Sequence, residues 1–273
     1  MTVHSQLQPY VDAWTHSIEA ISELVAPLPE GEWSRPTECP GWSVRDIVSH
    51  VIGFECEAIG DPRPIHSLPS DLFHVKDDFS RYAEIHVDVR RCHTSPEMTS
   101  ELEYTIIRRA RQLRNETREP DAMVRWLMGR QETLENVLLA RVFDVWVHEQ
   151  DLRRALRKPG NLGSAGSAIA RDVLLPRLPE VVQRIGARPY SAFVFDVHGE
   201  QDFMRTVRVS GEGEISIDGT VSLGPTVTFT TNWETFLRLA CGRVRPEAVA
   251  DRIKIEGDEK QAALLLANIA VTP

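Results

Sequence analysis

The sequence predicts a two-domain α+β protein: a four-helix bundle over residues 1–160, then a smaller α+β domain over residues 161–273 with a mainly antiparallel sheet. Three observations predict it. Four long segments before Gly160 carry apolar residues at spacings of three and four. After it the apolar runs shorten, become β-branched and aromatic, and alternate with glycine-containing turns. Between the two textures stands Lys158-Pro159-Gly160, a helix stop. With 273 residues and 42% hydrophobic content the chain can bury two cores, and its composition is not that of a disordered chain.

Residues 6–26 place Leu7, Tyr10, Trp14, Ile18, Ile21 and Val25 on one helical face, and Pro27 and Pro29 end that helix. After the turn-rich EGEWSRPTECPGW, Ser43 with Asp46 three residues on resembles a capping box, so a second helix starts near Val44 and runs towards Gly60. The proline-rich stretch 61–75 reads as an irregular connection, with a short helix across 77–91. Ser95-Pro96-Glu97 opens a third long helix to about Glu116, with Leu102, Ile106 and Leu113 inward. The fourth covers about 131–157, with Leu134, Leu138, Val142, Val145 and Leu152 in register.

In the second domain a helix over about 164–186 leads into strands at 192–198, 205–210, 214–219 and 226–230, with RIKIEGD as a further strand and turn. Two helices follow. One spans 232–241 behind the Thr231-xx-Glu234 pattern, and one spans 258–269.

A net charge of −9 argues against nucleic acid or an anionic membrane as the main partner and leaves small molecules or proteins. The N-terminus MTVHSQLQPYVDAW has neither a basic nor an apolar targeting region, and no apolar run reaches the ~18 residues of a membrane span, so a cytoplasmic location is expected. Cys39, Cys56, Cys92 and Cys241 are scattered without a CxxC pair, which fits reduced thiols rather than a disulfide frame or a cysteine zinc site.

The chemistry concentrates in FDVWVHEQDLRRAL, residues 143–156. At about 100° per residue, Asp144, His148 and Asp151 stand nearly above one another on one helix face. Asp144 and His148 then present an oxygen and a nitrogen to one point, as two metal ligands on a helix must, although the same spacing also describes many solvated polar pairs. Asp151 lies one turn on, placed either to accept the second ring N–H of His148 or to pair with Arg153 or Arg154. Glu149 is expected to face solvent and Trp146 to pack. His50, flanked by Ile47, Val51 and Phe54, turns inward on the second helix, as a core histidine or as a partner for the pair. His66, His74, His86 and His93 read as loop or solvated residues, and His4, His16 and His198 lack companions.

The stretch W-x-x-P-T-x-C-P-G-W-S-V-R-D-I-V-x-H, Trp33 to His50, followed by R-V-F-D-V-W-V-H-E-Q-D-L-R-R-A-L, resembles the mycothiol-dependent maleylpyruvate isomerase family, part of the DinB-like four-helix metalloprotein superfamily. The later F-L-R-L-A-C-G-R and I-K-I-E-G-D-E-K-Q-A-A-L-L-L-A-N-I-A-V-T-P are similar to that family's C-terminal domain, which is related to sterol carrier proteins. The resemblance implies a divalent metal, usually zinc, held by His50, Asp144 and His148; the family's characterised isomerase type has glutamate where Asp144 stands. It also implies mycothiol as a thiol cosubstrate, and a basic position, here Arg243, directed at the active cleft. A guanidinium suits a carboxylate there, while the plainer role of Arg243 is to satisfy helix-end carbonyls.

Two histidines and one carboxylate leave a tetrahedral zinc one open position, and a thiol bound in it is deprotonated. The expected activity is attack of the metal-bound thiolate on a small electrophile, giving cis–trans isomerisation or S-transfer. The alternatives are a metal-dependent hydrolase and a non-catalytic metal-containing ligand-binding protein.

Overall fold

Apolar periodicity becomes helix packing in the first part of the chain. The computed structural model describes residues 3–220 and 224–272. The chain divides into two units, residues 1–160 with 164–169, and residues 161–163 with 170–273.

Four long helices build the first unit: α1 (Gln8–Val25), α3 (Val44–Ile59), α5 (Ser95–Arg114) and α6 (Leu134–Leu156). The short α2 (Glu30–Trp33) precedes α3, and α4 (Asp78–Asp88) packs on its outer side. α1 lies against α6 and α5, and α3 against α5 and α6, so Trp14, Ile18, Ile21, Val51, Leu102, Leu138 and Val145 meet in one core. Burying each such side chain contributes about 1.5–3 kcal/mol, which is why the apolar stripe and not local propensity holds these helices.

The helix ends follow their capping chemistry. Ser43 and Asp46 form the capping box: the Ser43 N–H donates to Asp46 Oδ2 at 2.8 Å, and Ser43 Oγ accepts from the Asp46 N–H at 3.3 Å. α3 stops at Gly60, whose φ of 104° is the left-handed value that glycine adopts without strain. α6 begins at Leu134 and not at 131, because Gln131–Thr133 forms strand β2, antiparallel to β1 (Met123–Arg125). Strands of three residues are too short to show a period of two.

Pro176 and Pro179 divide the expected helix 164–186. Lacking an N–H, they interrupt the hydrogen-bond ladder, leaving α7 (Ala165–Leu174), a single 3-10 turn and α8 (Leu178–Arg184).

The second unit's five-stranded sheet runs β5 (Ile215–Asp218), β4 (Phe203–Val209), β3 (Ala192–His198), β6 (Val227–Asn232), β7 (Lys254–Gly257). All neighbours are antiparallel except β3 and β6, which pair in parallel with Phe193 opposite Val227. Phe193, Phe195 and Phe229 fill the sheet's buried side, with Trp233 and Phe236 from α9 (Trp233–Ala240); α10 (Glu259–Ala267) follows β7. The α9 cap is Asn232, which accepts from the Thr235 N–H at 2.8 Å; Thr231 instead donates its hydroxyl to the Arg252 carbonyl.

The four cysteines form no disulfide. Among the described residues, no helix is long and apolar enough to cross a membrane.

Because Ser43 starts the helix that carries His50, Ser43→Ala should lower stability by about 1 kcal/mol in urea unfolding followed by helical circular dichroism, and Ser43→Gly by only a few tenths. Equal losses would show that the cap bond is not what matters there.

Candidate metal centre

α3 and α6 pack so that His50 faces Asp144 across 94 residues of chain. His50 Nε2 lies 3.3 Å from both carboxylate oxygens of Asp144. His148 Nε2 lies 3.6 Å from Asp144 Oδ1, and the two imidazole centroids are 4.7 Å apart. Ligand atoms of the three residues all fall within 4.8 Å of one another, and among the described residues they are the one group of histidine, cysteine, aspartate and glutamate that converges in this way. The core-histidine and solvated-pair readings give way to a cluster, with His50 and His148 3% and 5% exposed.

A buried ionic chain sets the carboxylate. Arg141, one turn before Asp144, donates from Nη1 to Asp144 Oδ2 at 2.9 Å and from Nε to Glu55 Oε1 at 2.8 Å. Glu55 also accepts from Arg109 Nε at 3.1 Å. Burial would raise the Asp144 carboxyl, but the Arg141 guanidinium, then His50 and His148, hold it well below the ordinary carboxylate range. Burial pushes His50 down to about 4, against the pull of Asp144, with His148 and Arg141 acting in the same direction as burial.

Both roles weighed for Asp151 are filled together. Its Oδ2 lies 3.1 Å from His148 Nδ1, and its Oδ1 accepts from Arg154 Nη2 at 2.7 Å. A carboxylate only accepts, so Nδ1 carries the proton and Nε2 keeps its lone pair towards the cluster. His50 has no such support: its Nδ1 is buried without a hydrogen-bond partner.

The donor set fits a divalent cation. Bonds of 2.0–2.1 Å in a tetrahedron put neighbouring ligand atoms about 3.3–3.4 Å apart, close to the 3.3 and 3.6 Å separations from Asp144 to the two imidazoles. Two nitrogens and one oxygen suit zinc better than magnesium or calcium, which take oxygen ligands.

Several expectations are corrected. Glu149 does not face solvent: it is fully buried and paired with Arg153 Nε at 2.6 Å, because α6 is covered on more than one side. His86 is neither a loop nor a solvated residue but lies inside α4, while His74 lies in the irregular connection as expected and is paired there. His74 Nε2 lies 2.8 Å from Glu84, and His86, 1% exposed, lies 2.5 Å from Glu57. Trp146 packs, fully buried. Arg243 belongs to the second unit, where one of its bonds runs from Nη1 to the Cys241 carbonyl at 2.8 Å.

Sequence reasoning passed over Trp42, whose ring centroid lies 5.0 Å from His50 and 5.9 Å from His148. It also passed over Arg141 and Glu55. Arg141 was readable at three residues before Asp144; Glu55 was not, since its link to α6 is tertiary. A separate cavity of about 980 Å³ in the first unit is lined by Glu57, Tyr82, Arg109, Trp126 and Val137 among others, and by none of the three clustered residues.

The family model for the mycothiol maleylpyruvate isomerase N-terminal domain matches residues 14–153, and that for the family's C-terminal domain matches residues 168–264. The chain belongs to the mycothiol maleylpyruvate isomerase family. Crystal structures of the mycothiol-dependent maleylpyruvate isomerase and of a histidine-to-alanine mutant of it are each 14% identical to this chain. Each alignment covers 94% of this chain and 96% of the other, at a TM-score of 0.59, and at that identity the likeness speaks to the fold. The solution structure of sterol carrier protein domain 2 of Helicoverpa armigera, 19% identical over 36% of this chain and 82% of that chain, has a TM-score of 0.29, too low to establish a shared fold. No curated protein matches.

The His50 environment has a pH signature in the metal-free protein. Between about 4 and its ordinary value near 6.5 the unfolded chain binds a proton that the folded chain refuses. Stability is therefore full above that window and falls as pH drops through it, by about 3 kcal/mol for this residue. Urea midpoints from pH 7 to 4 in chelator-treated protein should show the fall, and His50→Gln should flatten it; an unchanged slope would assign the effect elsewhere.

Proposed function

We propose that this protein catalyses thiol-dependent cis–trans isomerisation of a small unsaturated keto acid such as maleylpyruvate, with mycothiol as the thiol and a divalent metal, zinc by its donor set, held by His50, Asp144 and His148. The observation that carries the reading is the approach of His50 to within 3.3 Å of Asp144, beside His148 on the same helix. Membership of the family supports mycothiol and the substrate class.

Three protein donors are the complement of a catalytic zinc site. Bound there, the cation would ionise a coordinated thiol at neutral pH and so supply the thiolate. Asp151 keeps the His148 lone pair turned towards the cluster, and Arg141 keeps Asp144 anionic. Arg243 is proposed, on the resemblance, to bind the substrate carboxylate through its planar fork.

In the reaction the thiolate sulfur adds to one carbon of the cis double bond, and the displaced electron pair moves to the conjugated carbonyl oxygen. The former double bond is now single and rotates. Return of the electron pair expels the sulfur, leaving the trans isomer and the thiolate. If the adduct instead takes a proton at the adjacent carbon, the sulfur stays in the product and the reaction is S-transfer. The opening step is shared, so the fate of the thiol separates the two.

Protein purified without added metal should carry about one equivalent, and His148→Ala should carry almost none. Asp151→Asn should weaken metal binding by about 10- to 100-fold with the donors intact. Turnover of maleylpyruvate should require the thiol and leave it unconsumed; turnover that persists without thiol would favour a hydrolase, and absence of both metal and turnover would favour a non-catalytic binding protein.

A further inference from the structure

The turn Cys39-Pro40-Gly41-Trp42 is locked from two directions. Gly41 has a φ of +79°, and a Cβ there would stand 2.3 Å from the His74 ring, so the turn needs glycine both for its backbone and for the imidazole packed against it. Trp42, next in the chain, donates its indole N–H to Glu84 Oε2 at 2.9 Å. Glu84 comes from α4 and is fully buried. The same oxygen meets His74 Nε2 at 2.8 Å, and Oε1 accepts from Arg91 Nη2 at 2.5 Å. Arg91 also reaches Asp46 Oδ1 at 3.3 Å, the carboxylate that caps the His50 helix.

A fully buried carboxylate with three donors has a fixed direction, since losing any of them would leave a desolvated charge poorly matched. That direction sets the indole plane. Core-filling tryptophans do not look like Trp42: Trp14, Trp33 and Trp146 are 1% exposed or less, whereas Trp42 touches both histidines and stays partly exposed. Metal binding by itself gives no reason for a buried anion to orient a half-buried indole beside the donors.

We propose that Trp42 is the wall on which a planar conjugated acid lies as it reaches the His50–Asp144–His148 cluster. Glu84 is the positioning residue that holds the indole there, and His74 ties it to the 61–77 connection. The proposal rests on reading that cluster as the reactive centre. A conjugated keto acid is flat and stacks on an indole face; a saturated chain of equal length does not, and the difference in affinity is expected to be about threefold to tenfold.

The test uses the full-length, metal-loaded protein with 15N-labelled tryptophan, titrated with sorbate, a planar conjugated acid, and with hexanoate, its saturated counterpart. Six tryptophans give six indole N–H resonances, and the one missing from Trp42→Phe belongs to Trp42. Sorbate should move that resonance and bind about threefold to tenfold more tightly than hexanoate, and Trp42→Leu should erase the preference. Glu84→Gln should reduce the preference for sorbate over hexanoate with metal content unchanged, which a purely structural role would not require. Equal binding of the two acids, a stationary Trp42 resonance, or a preference that survives Trp42→Leu would overturn the proposal. If Trp42→Leu does not fold, the titration of the native protein decides. The readout is binding and not turnover, so the two ideas fail separately. A selective Trp42 shift without thiol-dependent turnover removes the isomerase reading and keeps the wall; normal turnover without selectivity removes the wall alone.

Discussion

At the centre of the bundle a guanidinium with 1% of its side chain exposed lies between two carboxylates. Arg141 bridges Glu55 of α3 and Asp144 of α6, and Arg109 of α5 closes on the other oxygen of Glu55. Withdrawing such charges from water costs several kcal/mol each, and the cost is recovered only when every charge is paired with good geometry. α3, α5 and α6 must therefore sit in one register. That register is also the one in which His50 meets Asp144, so fold and candidate site obey a single constraint.

The three donors are held by different means. Asp144 is held by the charge chain, and His148 by Asp151, which Arg154 ties in turn to Glu38 in the loop before the Trp42 turn. Apart from its approach to Asp144, His50 is held by ring contacts, with Phe54 at 4.1 Å, His148 at 4.7 Å and Trp42 at 5.0 Å. Its alignment therefore depends on packing and on the start of its helix, where Ser43, Asp46 and Arg91 meet. In this light the CPGW-S-x-x-D stretch is a mechanical device: the turn places the indole, and the cap begins the helix one residue later.

Regular repetition was legible, and local interruption was not. α3, α5 and α6 announced themselves through apolar spacing and through Ser43 and Pro96, and the strands of the second unit through β-branched runs. The β1–β2 hairpin was too short to show a period, and a continuous apolar stripe hid the break at Pro176 and Pro179. Asn232 took the cap expected of Thr231 because the Thr231 hydroxyl found a carbonyl elsewhere in the fold. The burial of Glu149 and His86 was not legible, because each one's cover and partner depend on neighbours that no single helix specifies.

Within one helix the rise and turn per residue are set by covalent geometry, so the alignment of Asp144, His148 and Asp151 followed from the sequence alone. So did the inward face of His50, from the apolar residues around it. The meeting of the two faces did not follow. The 3.3 Å between His50 and Asp144 depends on the angle and register at which α3 packs on α6. Those are decided by side-chain interdigitation and by a charge chain through three helices, and neither is a property of any one segment.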